Sequence, residues 1–552
     1  MAEEWRRMGI PEGRDDFKEL RDKGFYYVDK SELISDILKN EGKVFLFTRP
    51  RRFGKSTNLS MLDAFFNLKY KGNTWFDGLK INDHPEAEIH KNAYPVIALS
   101  MKELDPLDFK EFLSDLKLRI SNLFDKFGYL ANSDKLTSLQ HIQYQDLLLG
   151  KADLALLKDS IPTLCSMLEQ YHGIKPIVLI DEYDDTLNRA YNNDAYPDIL
   201  NVLRSFYSQA LKGNGSLEFA VMTGVMQIAK EGIFSGLNNL SVNNIFSKDF
   251  DERYGFTESE VKELCTYYGH PEKFEEAKEW YDGYRFGDAE IYNPWSVLSY
   301  VKYHFNAKPY WAGTSGNDII NTLLKSSSEE TFKALALLGN GETLSKKLPE
   351  SVAMDDLKIR TNAIFSVLAI AGYLNAVPSK GGEYIISIPN KEMYSVFYDH
   401  IVEFAYDEID YCSDLLDAAE KCDIAGIEKV MYNFFSKNIP FFVLEKELDY
   451  EEILAGVIMS RDGRYKVTME NETGNGRHDL ILARRLAKYP NIVMEFKKAK
   501  SGDEKESERL AHEAIEQIHQ RDYCKELKGT TYLYGVCFNG KKPKAILEKT
   551  TF

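Results

Sequence analysis

Cysteine is scarce. The chain of 552 residues has six, Cys165, Cys265, Cys412, Cys422, Cys524 and Cys537, scattered and without a CxxC pair. So few, so widely spread, cannot staple a chain of this length, which excludes a disulfide scaffold and predicts a reducing compartment. Long apolar runs are missing too. No stretch reaches the roughly 18 uninterrupted apolar residues of a membrane-spanning helix, and the opening MAEEWRRMGIPEGRDDF lacks the apolar core of a secretory signal. A cytoplasmic location and no membrane partner are expected. Positive charge is in deficit, 69 Lys and Arg against 86 Asp and Glu for a net charge of −17. That argues against a protein that coats nucleic acid non-specifically, while leaving room for a locally basic cleft. The HExxH zinc pattern is absent, since His512-Glu513 and His519 are too far apart to place two ligands one helical turn from each other. A GxSxG elbow is also absent. Nothing marks any cysteine as a nucleophile, so buried structural cysteine is expected.

What is present is ordinary core-forming composition, 44% hydrophobic and 28% charged, in a length that predicts about three domains. The apolar runs Gly42 to Thr48, Pro95 to Met101, Pro176 to Asp181 and Leu217 to Gly224 read as buried strands. Helical patterns separate them, and strands alternating with helices predict a parallel, three-layered α/β sheet. Residues 102–172 read as a helical insertion over one end of that sheet. From about Ile291 the pattern turns to longer helices, within which RTNAIFSVLAIAGYLNAV, SKGG and EYIISIP read as helix, strand, turn and strand, a small winged-helix-like module. The last 120 or so residues return to α/β, with strand-like YKVTM, DLILA, NIVMEF and TYLYGVCF and a helix around EKESERLAHEAIEQIHQRDY.

The first strand runs into RPRRFGKS. In the pattern G-x-x-x-x-G-K-[ST] the loop amides cradle phosphate, the lysine meets the β/γ-phosphates and the hydroxyl ligates magnesium. Arg51, Arg52, Phe53, Gly54, Lys55 and Ser56 supply all but the first glycine, whose place Arg49 takes. The third strand ends in IVLIDEYDD. There Asp181 suits magnesium held through water and Glu182 suits polarising the attacking water. Thr223, at the tip of the next strand, is a candidate polar sensor of the γ-phosphate and equally good as turn chemistry. The aromatic, glycine-containing stretch Trp280 to Trp295 fits a stacking platform and a packed joint equally well.

Taken together, MGIPEGRDDFKELRDKGFYYVDKSELI, FTRPRRFGKSTNLSML, IVLIDEYD, TGVMQIAKEGIFSGLNNL, YGFTESEV and WYDGYRFG…IYNPWSV resemble the AAA-ATPase-like family of bacterial and archaeal proteins. Members commonly carry a C-terminal domain of the PD-(D/E)xK nuclease superfamily, and the Arg-Pro-Arg-Arg-Phe-Gly-Lys loop is their usual form. A metal-dependent nuclease needs acidic ligands that converge on a divalent cation, with a lysine to orient water or neutralise charge. In GNGRHDLILARRLAKYPNIVMEFKKAK, Asp479 opens one strand-like run while Glu495 and Lys497 lie two apart on the next. Strand alternation puts those two on one face, the D…ExK arrangement of the superfamily. The resemblance adds Glu447 as an upstream acidic ligand, with Glu451 and Glu452 as competitors, and Gln517 as a polar residue joining the site. Lys498, Lys500, Arg484 and Arg485 are candidate phosphate contacts.

The fold expected is therefore a P-loop NTPase of the additional-strand type over residues 1–290, a helical, winged-helix-like middle segment over 291–430, and a restriction-endonuclease-like α/β domain over 431–552. The function expected is ATP binding and hydrolysis coupled to a Mg²⁺-dependent, or Mn²⁺-dependent, nuclease acting on DNA or RNA, in a chain able to form oligomers. Ser56 and Asp181 would serve the nucleotide's metal; Glu447, Asp479 and Glu495 would serve the nuclease's. The alternative is a nucleotide-dependent switch or scaffold whose nuclease-like domain binds a partner without cutting.

Overall fold

The structure, a computed structural model, describes residues 7–191, 193–226, 240–311, 341–350, 361–397, 411–438, 464–469, 479–499, 503–520 and 527–551, with isolated positions between 331 and 352 and at 450 and 454. The chain divides into two units, Met1–Ile319 with Asn340–Tyr394, and Ile320–Gly339 with Ser395–Phe552. The expected middle segment is thus shared between them.

In the first unit, strands β1 (Val44–Thr48), β2 (Val96–Ser100), β3 (Ile177–Asp181), β4 (Ala220–Gly224) and β5 (Leu240–Asn243) form one sheet in the order β2-β3-β4-β1-β5. Every pairing in it is parallel. β1 and β4 are buried at every position, as expected of strands covered on both faces, and this is why they read as unbroken apolar runs. β4 lies between the strand that precedes the glycine-lysine loop and the strand that ends in Asp181. The helices Phe109–Asp125, Ser138–Leu148, Ser160–His172 and Tyr196–Leu211 bury Phe112, Leu116, Tyr144, Leu164, Leu168 and Phe206 against Val44, Leu46, Ile97, Val178 and Ile180. Each such side chain contributes roughly 1.5–3 kcal/mol of burial. The insertion accordingly builds the core on a face of the sheet rather than over its end. Its last helical pattern is broken at Asp159 into Leu154–Lys158 and Ser160–His172, because Pro162 can sit only in the first turn of a helix.

β6 (Phe256–Thr257), β7 (Tyr284–Phe286) and β8 (Ala289–Tyr292) make a small antiparallel sheet. β9 (Leu344–Lys346), β10 (Asn375–Pro378) and β11 (Tyr384–Ser387) make another, with the helix Thr361–Ala371 preceding β10. Helix and hairpin stand where the sequence placed them, and β9 adds a third strand that its pattern had not suggested.

The second unit is a mixed sheet, β12 (Tyr465–Met469), β13 (Asp479–Arg484), β14 (Asn491–Lys498), β15 (Thr530–Asn539) and β16 (Lys542–Thr551), in sequential order. Only β14 and β15 pair in parallel, and the helix Glu504–Gln520 supplies the crossover that a parallel pair requires. The helices Tyr411–Glu420 and Ile424–Asn438 cover the face bearing Leu480, Ile492, Met494 and Val536. The crossover helix covers the other, through Ile515 and Ile518 against Val493 and Leu533. Among the described residues no helix is long and apolar enough to cross a membrane.

Candidate functional site

The glycine-lysine loop leaves β1 at Thr48 and enters the helix Lys55–Phe66 through Gly54, whose φ of 80° is the left-handed conformation that a residue with a Cβ adopts only at a cost. That turn points the helix N-terminus, with its unpaired amides, at the loop, the arrangement suited to an anion. Lys55 is buried and donates to the carbonyls of Arg49 at 2.9 Å and Pro50 at 2.7 Å, so its ammonium is tethered at the centre of the loop. Burial brings it down to about 8. The Ser56 hydroxyl donates to Asp181 Oδ2 at 2.6 Å, and the Thr223 hydroxyl donates to Asp181 Oδ1. One carboxylate at the end of β3 therefore gathers the loop serine and the tip of β4.

Glu182 follows with φ 51°, and Arg52 within the loop has φ 70°. Left-handed backbone at a residue other than glycine costs about 1 kcal/mol or more, and here it turns one acid and one base into a common cleft of about 350 Å³, which Lys55 and Ser56 also line. Burial first, and the neighbouring Asp181 second, push the Glu182 carboxyl up. The oxygen donors of Ser56 and Asp181 are the hard ligands that suit Mg²⁺.

Arg49 and Phe53 face away from this cleft. The Arg49 guanidinium, fully buried, donates to the carbonyls of Thr48 at 2.9 Å and Asn243 at 2.7 Å and lies over Tyr254 and Phe286. It anchors the loop from behind, which explains physically how arginine can stand where the bare pattern has glycine. The Phe53 ring packs on Tyr284 and Phe286, leaving its main chain as the part available to a ligand. Arg51 lines the cleft, and its carbonyl accepts from Trp311 Nε1.

Sequence reasoning passed over several residues that line the same cleft. Asp184 is buried, its carboxyl pushed up by that burial, and it accepts from the amides of Val225 and Met226 and from Asn188. It thereby ties the segment after β4 to the end of β3. The four-residue spacing of Asp184 and Asn188, which lets them bond at 3.0 Å, was the available signal. Pro11 to Asp15, Lys102 and Trp295 also line the cleft. They are distant in sequence from the loop, and of these only Trp295 carried a local signal, as the end of the aromatic stretch that begins at Trp280.

In the second unit, position 479 opens β13 directly opposite Glu495 on β14. Glu495 is 3% exposed and accepts from Lys497 Nζ at 3.3 Å. Their partners across the sheet are Gly535 and Cys537. Gly535 is what lets the crossover helix come down beside Glu495: a Cβ there would stand 2.1 Å from the Ala511 carbonyl oxygen. Gln517 is half-buried on that helix, between Ile515 and Ile518, which enter the core. Arg484 and Arg485 bond to main-chain carbonyls at strand ends. Glu447, Glu451, Glu452 and Lys500 lie outside the described residues, as does the side chain of Asp479. Among the described residues no three His, Cys, Asp or Glu side chains converge as a metal site; the carboxylate of Glu495 is of the oxygen-donor type that suits a hard cation.

Over 498 residues, 86% of this chain and 87% of the relative, the sequence is 25% identical to an uncharacterized protein in the vnfD 5' region of Azotobacter chroococcum mcd 1. Residues 11–234 match the family described as Predicted AAA-ATPase, and residues 445–548 match the PD-(D/E)XK nuclease superfamily. The chain thus carries an AAA-ATPase-like domain over 11–234 followed by a PD-(D/E)XK nuclease superfamily domain over 445–548.

Proposed function

We propose that the chain binds and hydrolyses ATP in the cleft of its first unit, and that nucleotide state governs a divalent-metal-dependent cleavage of nucleic-acid phosphodiesters in its second. The observation that carries the first half is the convergence of Ser56 and Thr223 on the two oxygens of Asp181, with Lys55 and Glu182 lining the cleft beside them. β4, inserted between β1 and β3, agrees with an additional-strand P-loop architecture, in which a polar residue on the inserted strand reaches the reacting phosphate. Magnesium held by Ser56 and, through water, by Asp181 would neutralise charge on the phosphates. Lys55 would bind the β/γ-phosphates, Glu182 would take the proton of the attacking water, and Thr223 would orient that water or the terminal phosphate.

In the second unit, Asp479 and Glu495 would hold Mg²⁺ or Mn²⁺, with Glu447 as a further ligand. Such a cation activates water and stabilises developing charge. Lys497 and Gln517 would position the water and the scissile phosphate. What supports this reading is the register that sets position 479 opposite Glu495, beside the bond from Lys497.

The test is ATP turnover together with cleavage of single- and double-stranded DNA and RNA, with Mg²⁺ or Mn²⁺, in wild type, Lys55→Ala, Glu182→Gln and Asp479→Ala. Glu182→Gln should lower turnover about 100-fold or more while ATP still binds. Asp479→Ala should abolish cleavage without touching ATP affinity, and Lys55→Ala should change cleavage. ATP binding with no cleavage by any variant or by wild type would select the switch or scaffold instead.

A further inference from the structure

Resting on the nucleotide-binding reading above, we infer that Arg52 reads the terminal phosphate of a bound nucleoside triphosphate, and that the indole of Trp295 is the platform from which its guanidinium is exchanged. Arg52 stands in the loop at φ 70°, a conformation that glycine takes without strain, so the backbone gains nothing from arginine at this position. The side chain must supply the benefit. Its guanidinium carbon lies 4.2 Å over the Trp295 ring, and both residues line the cleft with Lys55 and Glu182. Asp15 and Glu182 attract the Arg52 guanidinium from within the same cleft, without a direct ion pair among the described residues.

A cation over an aromatic face is held more weakly than one in a paired, charge-assisted hydrogen bond to phosphate. A terminal phosphate reaching the cleft therefore outcompetes the ring. A diphosphate, lacking that group, does not. The platform itself is fixed. Trp295 Nε1 donates to the Tyr310 carbonyl at 3.3 Å. One oxygen of the buried Glu392 collects the Ser296 hydroxyl and the amides of Tyr310 and Trp311 at 3.0, 2.8 and 2.9 Å. Trp311 Nε1 then closes the circuit on the Arg51 carbonyl, one residue from Arg52. Ring and loop backbone are tied together, so the mobile part is the arginine side chain.

The experiment is calorimetric titration of the full chain with Mg-ATP and with Mg-ADP, in wild type, Arg52→Gly and Trp295→Leu. Glycine suits the backbone at position 52, so that variant should fold, and ADP affinity reports on the integrity of the site in both. Arg52→Gly should weaken ATP about tenfold and leave ADP within about twofold. Trp295→Leu should leave ADP unchanged and tighten ATP by about two- to fivefold, because the ring no longer competes. In protein labelled with 5-fluorotryptophan, the fluorine resonance that Trp295→Leu removes should shift with ATP and not with ADP. Equal weakening of ATP and ADP by Trp295→Leu would overturn the inference, placing the nucleotide base or a purely packing role on the ring. Unchanged ATP affinity in Arg52→Gly would overturn it as well. If wild type binds neither nucleotide, the nucleotide-binding reading itself has failed, an outcome distinguishable from both of these.

Discussion

Glu392 shows how one buried side chain is set by surroundings that no local pattern describes. Burial pushes its carboxyl up to about 7, against which the three donors on one oxygen pull only in part. A folded-state value above the unfolded one means that its contribution to stability is complete below about pH 4.5 and is lost as pH rises through about 7. The span corresponds to on the order of 3 kcal/mol. Glu392→Gln keeps an acceptor for the same donors and cannot ionise. Urea unfolding of the first unit should therefore favour the variant over wild type by about 2–3 kcal/mol more at pH 8 than at pH 4.5; a gap that does not change with pH would show that the carboxyl ionises as readily in the folded chain as in the unfolded one. The acids of DEYDD divide in the same way. Asp181 was legible as a candidate because it ends an apolar run, while Asp184 read as one more charge and is buried at the strand ends. Burial is a property of neighbours.

Among elements, the crossover helix Glu504–Gln520 and the strand β15 are held at a distance set by Gly535. Gly535→Ala would press a methyl into the Ala511 carbonyl, backbone that cannot yield by rotating a side chain, and onto the Ile515 side chain. The expected result is a loss of about 2–3 kcal/mol in the second unit. Because Glu495 is the neighbour of Gly535 across β14 and β15, cleavage should fall with it, while ATP affinity stays at the wild-type value. Cleavage and stability unchanged in that variant would mean that the helix does not approach so closely. The elements themselves were largely readable. Four of the five strands of the first unit's parallel sheet appear where apolar runs ended in polar turns, β5 (Leu240–Asn243) being the one not read, and β13 and β14 appear where D…ExK required them. The third strand beside the helix and hairpin, β9 (Leu344–Lys346), was not readable, because three residues, none of them buried, are too few to carry an alternation that can be detected.

At the scale of the whole molecule, each unit has its own core: one cluster runs from Val44 to Met222 and another from Tyr411 to Ala545. Thermal unfolding should therefore show two transitions, of which only the first unit's rises with Mg-ATP. At a nucleotide concentration 100 times the dissociation constant the gain is about 2.7 kcal/mol. A single transition, or a shift of both together, would mean that the two cores unfold as one. The sequence by itself determined the class of each unit, the strand order of events along the chain, and the residue types at both sites, since these follow from periodicity, turn chemistry and short motifs that act over a few residues. Tertiary structure alone decided which of those residues meet. The pairing of Ser56 with Asp181 across 125 positions, the turning of Arg49 away from the cleft, the placing of Trp295 beneath Arg52 and the approach allowed by Gly535 each depend on packing between segments distant in sequence. Hydrophobic pattern specifies that a side chain is buried, and only the assembled neighbours specify against what.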